Sequence, residues 1–196
     1  NIIAGFNVVC VGNNSRFSFL PSRQGNTLAD RASLLYFKLK KIKPIFYDYM
    51  HHRGSDERQY CWPGIDLPVC SIMRSKYNEY KEYHTSFDNL KFISQKGLNG
   101  SFRTIQGVIK IIENNIKFKS KFNGTGEPYM TKYNLYPTIS TKNSYKVASM
   151  MNIILLASDG KDIIEMSNTL KIDPKKLSII INKLIKTKLI GINKHL

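Results

Sequence analysis

Residues 54–88 carry the side chains best suited to chemistry: His84, flanked by Tyr83 and Thr85, and Asp56, in a Gly-Ser-Asp-Glu turn 28 positions earlier. Imidazole is the commonest metal ligand near neutral pH, and a loop carboxylate can accept its second N–H or orient a bound water. A single His beside a Tyr is also a frequent structural or surface residue, so on residue type alone both readings stand. His51-His52 points to less. Adjacent residues on an extended loop face opposite ways, and no Cys or carboxylate lies at ligand spacing, so that pair reads as structural or solvated.

The elements that must position these residues follow from apolar spacing. Residues 2–12 read as a buried strand ending in a glycine turn. The chain opens directly into that strand at Asn1, without Met, and so reads as a fragment. Asn26 or Thr27 caps a helix reaching about Lys40, with Leu28, Ala32, Leu35 and Leu39 on one face. Residues 45–49 read as a strand, 51–58 as a polar loop and 67–73 as a short buried strand. A long helix runs from near Ser94 to Asn115, interrupted or bent at residues 97–100, with Phe102, Ile105, Ile109 and Ile112 stacked on one side. Strands alternating with helices imply an α/β layer architecture over residues 1–118.

Residues 119–140 lack periodicity and read as a connecting segment. From 141 to 196 the rhythm is helical. Val147, Met150, Met151, Ile154 and Leu155 share one face, and Ile163, Ile164 and Met166 mark a shorter helix. Asp173 with Pro174 caps a third helix, striped by Leu177, Ile180, Ile181 and Leu184. With a terminal strand at 189–192, this describes a winged helix-turn-helix domain.

Composition limits the classes. A hydrophobic share of 42% supplies a core, and no apolar run approaches the roughly 18 residues of a membrane span. Cys10, Cys61 and Cys70 are odd in number and apolar in context, which suits free thiols and a cytoplasmic location. The 30 Lys and Arg against 14 Asp and Glu give a net charge of +16, which raises affinity for polyanions. The lysines are scattered, however, and only clustered charge makes a nucleic-acid footprint. In the C-terminal domain, Lys175, Lys176, Asn182, Lys183 and Lys186 lie on the polar side of the third helix, which could contact phosphates. That domain has no Arg for guanine readout, so protein docking is the favoured role and nucleic-acid binding the less favoured one.

Three stretches carry a family resemblance: Ser55-Asp56-Glu57-Arg58-Gln59-Tyr60, then Gly64-Ile65-Asp66-Leu67-Pro68, then Tyr83-His84-Thr85-Ser86-Phe87-Asp88. In order and spacing they resemble the C-terminal half of the zinc-dependent aminopeptidase superfamily, which includes glutaminyl cyclases. The chain is most similar to bacterial aminopeptidase-like proteins that append a winged helix and accompany surface-polysaccharide biosynthesis. Met73-Arg74-Ser75-Lys76-Tyr77, Leu20-Pro21-Ser22-Arg23 and Leu135-Tyr136-Pro137-Thr138 extend that likeness over essentially the whole chain.

The resemblance implies a partial zinc-aminopeptidase-like mixed sheet with flanking helices. It also implies that His84 is the last zinc ligand and Asp56 a carboxylate in its hydrogen-bonded shell. Zinc would lower the pKa of its bound water toward about 7 and polarise a scissile carbonyl. Two departures matter. Glu57 stands where the family has His, and Val9 where two-metal members have Asp, so one zinc ion is expected. The family's other ligands and general base come earlier than this sequence begins, so the chain holds at most half of that site. Within it, Asp56 and Glu57 are the catalytic candidates. Arg58, Arg74 and Tyr83 are candidates for gripping substrate, because Arg holds carboxylates bidentately and a Tyr hydroxyl can donate to an oxyanion. The expected activity is hydrolysis of an amide in a peptide or amino-sugar-like substrate. The alternatives are a non-catalytic scaffold of the same fold and a DNA-binding regulator. A homo-oligomer is compatible with either class.

Overall fold

Val69-Cys70-Ser71-Ile72-Met73 has no polar alternation, and in a computed structural model every one of its residues is buried. The structure describes residues 2–136 and 144–193. It divides into two units, 1–113 and 114–196. The first is a mixed four-stranded sheet of order β1-β4-β2-β3, made of β1 (Gly5–Val8), β2 (Ser18–Leu20), β3 (Ile45–Phe46) and β4 (Val69–Met73). β4 pairs parallel with β1, Phe6 opposite Cys70, and antiparallel with β2, Phe19 opposite Ile72. A strand paired on both sides and covered on both faces is buried throughout, so its one polar residue, Ser71, must find a partner inside. The strand expected over 2–12 is instead a four-residue edge, and Ile2, Ile3 and Val8 stay exposed because β1 has β4 as its partner on one side.

Helix α1 (Leu28–Leu39) starts at the Thr27 cap. Thr27 Oγ1 accepts from the Asp30 backbone while the Asp30 carboxylate accepts from Thr27 N at 2.9 Å, a reciprocal capping box. Asp48 ends the strand after β3 by capping α2 (Tyr49–His52), and the polar loop holds a second single-turn helix, α3 (Glu57–Tyr60).

Helix α4 (Gln95–Glu113) runs without interruption, contrary to the break expected at 97–100. Its glycines serve close approach. A Cβ at Gly97 would lie 2.3 Å from the carbonyl oxygens of Gly12 and Asn13, and one at Gly107 would lie 2.0 Å from the Tyr36 ring. The face turned inward is accordingly Gly97, Ser101, Thr104 and Val108. Of the apolar stripe expected on one side, Phe102 is 66% and Ile109 41% exposed, while Ile105 and Ile112 are half-buried.

The second unit begins before the expected 141 boundary. β5 (Phe118–Ser120), at the start of the expected connecting segment, pairs antiparallel with β6 (Ile190–Ile192), and a 3₁₀ turn at Met130–Tyr133 buries Met130. Helices α5 (Ser144–Ser158), α6 (Ile163–Leu170) and α7 (Pro174–Lys186) pack Ile153, Met166, Leu177, Ile181 and Leu184 into one apolar core. Asp162 and Asp173 cap α6 and α7, and Lys171 at φ 55° makes the turn between them. In α5, Ile153 takes the buried place expected for Leu155, which is exposed. This unit is a winged helix, its wing closed by the strand from residues 118–120.

Candidate functional site

The structure places Glu57 at the start of α3, fully buried, as the acceptor of a dense hydrogen-bond network. Oε1 receives the Gly54 and Ser55 backbone N–H groups at 2.8 and 3.0 Å and the Tyr77 hydroxyl at 2.7 Å. Oε2 receives Asn7 Nδ2 at 2.6 Å and the Ser71 hydroxyl at 3.1 Å. Burial alone would raise the Glu57 pKa, but these donors outweigh it and the carboxyl sits below its ordinary value. Burial, then the bond to Glu57, pushes the Tyr77 hydroxyl well above its ordinary value, so it remains a donor. Glu57 therefore ties β1, β4, the 54–57 turn and Tyr77 together, with both oxygens occupied.

Tyr77 carries this bracing toward His84. With Leu20 and Met73 it forms a small buried cluster against which Tyr83 packs. The Tyr83 ring stacks on His84 at 3.9 Å and 14°. His84 sits in a left-handed turn at φ 55°, exposed, and its imidazole has no hydrogen-bond partner among the described residues. Beside Tyr77, the buried Lys76 ammonium lies 3.3 Å from Glu79 and over the Tyr77 ring at 4.5 Å. The Tyr47 hydroxyl donates to Glu79 at 2.5 Å and is pushed up to about 12 by burial first and by that bond second.

The other candidates are not brought to His84. Asp56 is exposed at the N-cap of α3 and makes no capping bond. Arg74 is a brace: its guanidinium lies 3.8 Å over the Phe17 ring, Nε donates to Ser101 Oγ at 3.1 Å and Nη1 to the Ser15 carbonyl at 3.1 Å. Arg58 lies in a separate cleft with Trp62. Asp48 caps α2 through the His51 N–H, while His52 sets its ring 5.2 Å from Tyr47, so the His51-His52 pair is capping and packing. All three cysteines are free thiols.

Among the described residues no three His, Cys, Asp or Glu side chains could hold a metal ion. His84 offers one donor where a zinc centre uses three or four, so the described residues do not by themselves make that centre. Reading the sequence missed Asn7, Ser71 and Tyr77 as partners of Glu57. The one available signal was the Met73 to Tyr77 stretch, whose Tyr77 follows a buried strand.

The mixed sheet and the C-terminal helices form an α/β unit followed by a winged helix. Residues 1–115 match the profile of DUF4910, a domain of unknown function, and residues 118–191 match a winged helix-turn-helix family. The chain belongs to the DUF4910 family. It is 34% identical over 166 residues to a Clostridium acetobutylicum protein provisionally named a polysaccharide biosynthesis protein with an aminopeptidase-like domain. That match covers 83% of this chain and 37% of the relative. A crystal structure of a provisionally named peptidase from Clostridium acetobutylicum has a TM-score of 0.79 at 25% identity, over 98% of this chain and 42% of that one. The chain thus spans less than half the length of either. No helix among the described residues is long and apolar enough to cross a membrane.

Proposed function

We propose that the protein is a zinc-dependent hydrolase of an amide in a peptide or amino-sugar-like substrate, acting in surface-polysaccharide biosynthesis. The observation that carries this is His84: an exposed imidazole with no hydrogen-bond partner among the described residues, its ring held by Tyr83, which packs on the Tyr77 braced by Glu57. An exposed imidazole whose ring is held by stacking leaves a nitrogen open to a metal ion. Membership of a family with aminopeptidase-like relatives supports the same assignment.

In this reading His84 supplies one zinc ligand, and the remaining ligands and the general base come from residues beyond those described. Bound zinc would supply an acidified water and a polarised carbonyl. Glu57 is a positioning residue, because its buried oxygens are fully engaged within the fold. Asp56, exposed beside it, makes no contact with His84 among the described residues and has no role in this reading. Zinc analysis of the intact protein tests the assignment. The expected result is zinc in the parent, far less than one equivalent in His84→Ala, and unchanged folding in both; equal zinc in the two would overturn it.

For the winged helix we propose protein docking. Ile179, 62% exposed, sits amid the lysines of the outward face of α7, and an apolar residue there suits a protein surface better than phosphates.

A further inference from the structure

Beside the Glu57 network, α2, α3 and the turn after α3 enclose an open cleft of about 650 Å³, lined by Met50, Arg53, Arg58, Gln59 and Trp62. Its size is that of a small-molecule site. Trp62 is the only tryptophan in the chain, and it is 60% exposed. Its backbone is nonetheless firmly held. The preceding Cys61 is fully buried, with its thiol on the Leu67 and Val69 carbonyls. The Trp62 carbonyl accepts from Ile65 N and Asp66 N at 2.8 and 2.7 Å. The turn thus fixes the backbone and leaves a flat apolar face in the open.

Two cations share the cleft. Arg53 is held from behind, Nη1 donating to the Met50 carbonyl at 2.5 Å and the guanidinium 5.6 Å from the Tyr49 ring centre. Arg58 is exposed on α3. Neither has a carboxylate partner among the described residues. Two guanidiniums without a carboxylate partner among the described residues select an anion, and their planar forks match an oxyanion such as a carboxylate. The Gln59 amide adds one donor pair and one acceptor.

We infer that this cleft binds a pyranose bearing a carboxylate, with a sugar face on the Trp62 ring and the carboxylate on Arg58 and Arg53. The negative face of an indole attracts the weakly positive C–H face of a sugar ring. Peptide recognition is disfavoured by the main chain. The N–H groups of His52, Arg53, Tyr60, Cys61 and Trp62 are all used within the two helical turns, leaving little main chain to pair with a peptide backbone. The ligand must be read by side chains, which suits hydroxyls and a carboxylate. This inference does not depend on the hydrolase reading, because it concerns binding without turnover.

The test is titration of the intact protein with methyl β-glucuronide, methyl β-glucoside and N-acetylphenylalanine, followed by saturation-transfer NMR on each ligand. The expected result is saturable glucuronide binding, with the neutral glucoside weaker by at least about tenfold, the value of one charge-assisted contact. Arg58→Gln should weaken the glucuronide by about the same factor and leave the glucoside unchanged. Trp62→Ala should weaken both sugars. Both side chains are exposed, so circular dichroism and melting should match the parent in each variant. Equal binding of the two sugars, an unaffected Arg58→Gln, or tighter binding of N-acetylphenylalanine than of the glucuronide would overturn the proposal, the last in favour of a peptide carboxylate. Zinc content is measured separately, so failure of either proposal leaves the other standing.

Discussion

The two units are held together by different interactions. At the centre of the first, the sheet encloses a buried carboxylate with five donors, and Asp30 is buried among Ser22 and Thr27. The second closes on Ile153, Met166, Leu177, Ile181 and Leu184, and its buried Asn115 and Asp162 serve helix ends, Asn115 accepting from Ile164 N at 3.1 Å. A saturated polar centre gains little from shape alone. Its cost appears when one acceptor is lost and several donors are stranded together. An apolar core responds instead to lost volume. The first unit should therefore be sensitive to charge and acid, and the second to cavities.

The sharpest way to break this contrast is Glu57→Gln. It keeps the volume but sets an amide N–H₂ either against the Gly54 and Ser55 N–H groups or against Asn7 Nδ2, which can only donate, and should destabilise the first unit by about 3–5 kcal/mol. Urea unfolding followed by the fluorescence of Trp62, which reports on the first unit, measures it. Acid adds a second reading. Because the folded Glu57 carboxyl lies below its ordinary value of 4.5, its contribution is fully present above that value. It is lost as pH falls from there through the folded pKa. The Gln variant should lack that part of the acid dependence. A parent-like acid limb in the variant would assign the sensitivity to other carboxylates.

Next in size is Leu177→Ala in the winged helix, where a fully buried side chain leaves a cavity. About 2–4 kcal/mol should be lost from the second unit, with no change in acid dependence relative to the parent. The helix signal in urea titrations at two pH values reads both quantities. An acid dependence introduced by this substitution would show that the apolar core is coupled to a titrating group.

Gly97→Ala should have the smallest effect, about 1–3 kcal/mol, and its sign is the informative part. Helix propensity alone favours Ala over Gly by about 1 kcal/mol. Here the added Cβ would meet two carbonyl oxygens at 2.3 Å, so α4 must shift away from the Gly12 turn. Thermal melting decides the sign. A stabilised variant would mean that the helix can move aside freely.

What the sequence determined by itself was local. The start of α1 was legible because Thr27 and Asp30 satisfy each other's backbone groups within one turn, and α7 because Asp173 caps it by accepting from Lys175 N while Pro174, with no N–H to satisfy, opens its first turn. β4 was legible from its short, largely apolar run. Tertiary structure decided what those pieces touch. The partners of Glu57 come from Asn7, 50 positions away, Ser71, 14 away, and Tyr77, 20 away, and no local pattern encodes a meeting of donors from four segments. β5 and β6 pair across the whole second unit, so residues 118–120 read as the edge of a linker until their partner is known. The glycines of α4 read as breaks because propensity is a single-helix property, whereas their use, letting a helix approach the carbonyls of another segment, exists only once that segment is in place.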